Sequence, residues 1–180
     1  MGSVSRIVVA GAVACALAHC AVVVPTAGRA SSERARQQSA QVQARVGWNP
    51  DTRRCTDPST QLVDGDTVLA RYAEWSDFDP DARDAREPGT VIRTPAVEYP
   101  RWLYETGEPG AVRLLVFIDD QGKIVSSLAV CATREEFVAP ARDAIPKGSY
   151  RPAWSNGGPR RATAFQVIAF SAPMTYPGTD

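Results

Sequence analysis

The sequence predicts an α+β protein: a small three-stranded antiparallel sheet packed with one or two helices, preceded by an N-terminal export or anchor segment and a polar, partly helical stem. Three observations carry this. Residues 110–118 and 124–130 alternate in polarity around a turn, a last alternating run follows at 162–171, and helix signals lie between them at 134–145. The chain divides accordingly into residues 1–30, residues 31–91 and a folded domain at 92–180.

The first element is an apolar run from Ile7 to Val24, broken only by His19 and preceded by Arg6. As a helix it covers about 27 Å, just short of a bilayer core, which fits a short transmembrane anchor. The small residues Gly28 and Ala30 equally suit cleavage of a signal peptide, and Leu17-Ala18-His19-Cys20 offers a third reading as a lipoprotein site acylated at Cys20. All three send the rest of the chain out of the cytoplasm.

Export changes the cysteine count. Cys15 and Cys20 fall inside the apolar run, which leaves Cys55 and Cys131 as an even pair in an oxidising compartment. They either form a disulfide or stand as two free thiols. The exported part has no His, so neither the usual structural zinc site nor a Cys-His or Ser-His-Asp arrangement can be assembled. No catalytic residue, metal site or cofactor is predicted, and the balance of 20 basic and 20 acidic residues argues against nucleic acid.

The stem is acidic and short of apolar residues. Ser31 to Arg45 combines good helix formers with almost no apolar stripe, so it reads as a solvated helix or flexible stem. Val68 to Trp75 forms a short helix on which Leu69, Tyr72 and Trp75 are expected to dock. Asp77, Asp79 and Asp81 alternate as in a calcium loop, but Ala82 stands where the turn glycine belongs and Pro88 where the bidentate Glu belongs. A solvated acidic loop is the better reading.

In the folded part, Val112, Leu114, Val116 and Ile118 share one strand face, Asp119-Asp120-Gln121-Gly122 turns the chain, and a second strand follows from Ile124 to Val130. The opposite face carries Arg113, Leu115 and Phe117, two of which need cover from the upstream segment or from a partner. Pro140 fits the first turn of a helix running through Ala141, Ala144 and Ile145, which Pro146 and Gly148 stop. In the last strand Thr163, Phe165, Val167 and Ala169 alternate with Ala164, Gln166, Ile168 and Phe170, so both faces are apolar.

Taken in order, Tyr99-Pro100, Gly110-x-Val112, Val116-x-Ile118-Asp119 with Gly122 and Ile124, Phe137 with Ala141, Ala144 and Ile145, Tyr150-x-Pro152-Ala153, Asn156-Gly157 and Ile168-x-Phe170 resemble the C-terminal domain of TonB-type energy transducers. The resemblance covers about Val97 to Ser171. It departs from the family at Val138, Pro140 and Cys131-Ala132-Thr133.

The resemblance implies an interaction module, not an enzyme, that adds an extended segment of an outer-membrane TonB-dependent transporter to its exposed last strand, Thr163 to Phe170. It also implies that Cys15 and His19, four residues apart, stand where the family's anchor has Ser and His, so that His19 would face a proton-driven inner-membrane motor complex. Residues 31–91 span about 200 Å only if fully extended. A periplasmic module without the motor link is therefore the alternative, and a homodimer or residues 60 to 95 are the alternative cover for the last strand.

Overall fold

The computed structural model describes residues 27–75, 89–103, 105–155 and 157–171. In chain order its elements are helix α1 (Ala27–Arg45), strands β1 (Trp48–Asn49) and β2 (Arg54–Cys55), helix α2 (Gly65–Trp75), strand β3 (Thr90–Arg93), the long strands β4 (Gly110–Ile118) and β5 (Ile124–Ala132), helix α3 (Val138–Ala144), the short strands β6 (Ser149–Arg151), β7 (Ala153–Ser155) and β8 (Gly158–Arg160), and the closing strand β9 (Ala162–Phe170). The central antiparallel sheet has the order β5-β4-β9, and β1–β2, β3–β6 and β7–β8 form two-stranded pairs.

The β4–β5 hairpin forms where polarity alternation meets turn chemistry. Asp119 Oδ1 accepts from the backbone N–H groups of Gln121 and Lys123 at 3.0 and 2.7 Å, and Gly122 takes φ +81°, a conformation only glycine adopts freely. Opposite the hairpin, β4 and β9 pair without interruption from Gly110 against Phe170 to Ile118 against Ala162.

Each face of this sheet has its own cover. On the first, Val112, Leu114, Val116 and Ile118 lie with Ile168 and Phe170 beneath Phe137, Ala141, Ile145, Tyr99 and Tyr150. Phe137 enters from the turn that leads into α3, Pro140 lies in that helix's first turn, and a second tight turn at Ile145–Lys147 ends it.

The second face carries Ala111, Leu115 and Phe117 of β4 with Val130 and Cys131 of β5. Its cover comes from upstream: Val46, Cys55 and Val68 are buried against it, and Val42, Trp48 and Trp75 pack at its margin. Residues 46–75 are therefore part of the packed structure, and the boundary drawn at residue 91 does not separate a stem from a domain. The physical reason is the second apolar face of β4, which buries better against its own chain than it would in water.

Two local devices seat this upstream layer. Asp64 caps α2, accepting from Thr67 N–H at 2.8 Å and Thr67 Oγ1 at 2.6 Å, and those bonds hold its carboxyl below the usual range. The ladder between β4 and β5 slips between Arg113 and Leu114, inserting Val130 as an extra residue, so that Val130 and Cys131 both reach the second face. Cys131 thereby meets Cys55 and forms a disulfide, with Cα atoms 6.1 Å apart across a sequence separation of 76.

Helix α2 docks on a different stripe from the expected one. Val68 is buried and Trp75 donates Nε1–H to the Ile118 carbonyl at 3.1 Å, whereas Leu69 and Tyr72 are exposed. At about 100° per residue, Val68 and Trp75 differ by only about 20° around the helix, while Leu69, Tyr72 and Trp75 drift progressively off one line. Helix α1 meets the second core through Val42, and Val46, just beyond its C-terminal end, is buried there.

Candidate functional site

Strand β9 is one margin of the central sheet. Among the described residues it pairs only with β4, so the backbone groups on its other side face no strand. The opposite margin differs. There Leu62 donates its N–H to the Val130 carbonyl at 3.0 Å and Gln61 bridges Cys131, closing the end of β5 that the disulfide also ties down. The two edges of one sheet are thus unlike, and β9 offers the longer open run.

The apolar residues on both sides of β9 are accounted for within the chain. Ile168 and Phe170 belong to the first core, and Phe137 stacks on Phe170 at 4.7 Å. Phe165 and Val167 pack at the margin of the second, where Trp48 stacks on Phe165 at 5.9 Å. The cover of this second side comes mainly from residues 42–75. Two side-chain atoms of β9, Thr163 Oγ1 and Gln166 Nε2, are buried with no hydrogen-bond partner among the described residues.

The remaining predicted motif residues fall into two packing clusters, away from the free side of β9. Tyr99 donates its hydroxyl to the Glu108 carbonyl at 2.8 Å and meets Phe137 edge-on at 5.8 Å, while Pro100 accepts the Leu103 N–H that closes the following turn. Gly110 belongs here too, because a Cβ on it would lie 2.1 Å from the Phe137 ring. Gly122, Tyr150 and Pro152 form the second cluster, where a Cβ on Gly122 would come within 2.8 Å of the Tyr150 carbonyl and 3.4 Å of Pro152. These residues hold the sheet in shape.

Tyr150 links that second cluster to β9. Its hydroxyl stands 2.7 Å from Gln166 Oε1 and 3.0 Å from the Ile145 carbonyl, and with one proton it donates to one of them at a time. Burial pushes the phenol from 10.0 up to about 12. Between those values the unfolded tyrosine ionises while the folded one stays neutral, so stability falls as pH rises from 10 toward 12. Tyr150→Phe is expected to flatten that fall in urea titrations and to cost about 1 kcal/mol below it. Equal slopes in both proteins would contradict the assignment.

Arg113 and Trp48 were not singled out as site residues from the sequence. Arg113 is the one charged side chain in an apolar strand, and that isolation is the signal that could have found it. Its Nε–H donates to the Val46 carbonyl and its guanidinium lies 5.8 Å from the Phe165 ring centroid. Burial lowers its pKa, and no acidic side chain pairs with it among the described residues. At the start of β9, Arg161 lies over the Trp75 ring at 5.0 Å.

His19 and the rest of residues 1–26, the Asp77, Asp79 and Asp81 loop, and Asn156 lie outside the described residues. Among the described residues no helix is long and apolar enough to cross a membrane.

The fold is a small α+β domain in which, among the described residues, β9 lies at one margin of the central sheet. No family model matches the chain, and no curated protein matches it. Among solved structures it is similar to the solution NMR structure of the Pseudomonas aeruginosa TonB C-terminal domain, at 20% identity over 53% of this chain and 100% of that one, with a TM-score of 0.40.

Proposed function

We propose that the chain is a periplasmic interaction protein that binds an extended segment of an outer-membrane transporter by adding it as a strand beside β9. The observation that carries this reading is the place of β9 at the margin of the central sheet, where among the described residues it pairs only with β4, while residues 61 and 62 close one end of the opposite strand β5. Backbone hydrogen bonds would supply affinity there, and the side chains along Thr163 to Phe170 would supply selectivity.

The packed upstream layer favours one version of this role. With residues 46–75 folded onto the sheet, the described part of the stem is a helix of about 28 Å, far short of what an extended residue 31–91 stem would span. That supports a module acting without the motor link over a force transducer anchored through His19. Recovery of intact Met1 in the membrane fraction would instead support the transducer. For the binding mode, an extended transporter peptide is expected to shift the backbone amide signals of residues 162–171, and peptides that leave those signals unmoved would remove strand capture.

A further inference from the structure

The two-stranded ribbon of β3 and β6 turns its apolar residues inward and its charges outward. Val91 lies opposite Tyr150 in the ladder, and both pack on the first core. Their neighbours therefore share the outer face, with Arg151 opposite Thr90 and Arg93 opposite Ser149. The ladder slips between Val91 and Arg93, and the extra residue, Ile92, stands 59% exposed. Arg93 and Arg151 are exposed diagonal neighbours in this register, about 7 to 8 Å apart at their Cα atoms. Arg93 also donates from Nη2 to the Lys147 carbonyl at 3.1 Å, which brings the backbone of a third exposed cation beside the ribbon.

These cations lack what several others in the chain have. Arg45, Arg53, Arg71 and Arg134 each meet a carboxylate within 3.0 Å, whereas Arg93, Lys147 and Arg151 form no ion pair among the described residues. Asp143 stands four residues before Lys147 without pairing with it, and no Asp or Glu occurs from Ala144 to Thr179. Like charges gathered on one strand face cost stability, and a partner of opposite charge reverses the sign of that cost. We infer that the outer face of the β3–β6 ribbon binds an acidic segment of a protein partner, carrying two carboxylates two residues apart on an extended backbone. Same-face side chains at i and i+2 of a strand are about 7 Å apart, which matches Arg93 and Arg151. The ladder fixes that spacing, and a protein strand matches it where a fluid lipid surface has no need of it. Each guanidinium offers a planar fork suited to a carboxylate, and Ile92 adds an apolar contact beside them.

The test uses the full oxidised chain and three synthetic ten-residue peptides of Gly and Ser, acetylated and amidated. They carry Glu, Gln or Lys at two positions two residues apart. Affinity is read from the backbone amide signals of residues 90–93 and 147–151. The Glu peptide is expected to bind about five- to tenfold more tightly than the Gln peptide, with the Lys peptide weakest and the difference shrinking as salt rises.

Arg93→Gln and Arg151→Gln should each remove much of the Glu preference. Arg36→Gln, which deletes one exposed charge from α1, should leave that preference within about twofold of wild type. The wild-type Glu and Gln comparison stands even where a variant folds poorly. Equal affinity of the Glu and Gln peptides, or an equal loss from Arg36→Gln, would overturn the inference. So would anionic phospholipid vesicles that shift these signals through Arg93 and Arg151 while the Glu peptide leaves them unmoved. Strand capture is read at residues 162–171, so the two readings fail separately.

Discussion

Replacing Cys55 and Cys131 together by Ala is expected to lower the stability of the chain by about 4 kcal/mol, on the loop-entropy scale for a closed loop of this size. The separation of 76 residues makes the constraint on the unfolded chain large. The bond also joins the upstream layer to the sheet, since Cys55 ends β2 and Cys131 lies near the end of β5. Urea unfolding of wild type with and without reductant, beside the double variant, measures the effect. Both sulfurs are buried in the native protein, so reduction should proceed through opening and be slow in the absence of denaturant. A loss under about 1 kcal/mol would mean that the second core holds without its cross-link.

The second large effect concerns the first core. Phe137→Ala is expected to cost about 3 to 5 kcal/mol, the usual range for emptying a buried aromatic site. Phe137 is fully buried, stacked on Phe170, edge-on to Tyr99, and pressed against the backbone of Gly110. The Gly110 contact makes a sharper test than the single variant. Gly110→Ala alone drives a methyl into the ring and should also cost several kcal/mol, about 1 to 3 for the overpacking alone. Combined with Phe137→Leu, which vacates that space, the loss should be clearly less than the sum of the two single losses. Simple additivity in urea titrations would show that the two residues do not press on one another.

Much of this was legible in the sequence because the signals were local. The period-2 runs and the Asp119 to Gly122 turn gave the hairpin, and Pro140, Pro146 and Gly148 marked the short helix. Leu115 and Phe117 on the far side of β4 also announced that a second layer had to exist. Its source was not legible. Strands β1 and β2 are two residues each, too short for any periodicity, and they are held by contacts far away in sequence. The extra residue Val130, which turns Cys131 toward Cys55, has no local marker either.

The edge itself shows the same division. The last strand and the membership of its two faces could be read from 162–171, but an edge is a property of strand order, and order is set by which strands meet in space. Apolar residues on both sides of β9 suggested an exposed liability. The structure gives each side a layer of its own chain, so what remains is the outer backbone of β9, which among the described residues meets no further strand.

Amide hydrogen exchange along β9 tests that central feature most directly. In an antiparallel edge strand every second N–H is bonded to the neighbouring strand and those between face outward. The free protein should therefore show slow and fast amides alternating from Ala162 to Phe170, and addition of an extended transporter peptide should slow the fast set alone. Uniformly slow exchange before any peptide is added, or slowing that ignores the alternation, would contradict an open edge that takes up a further strand.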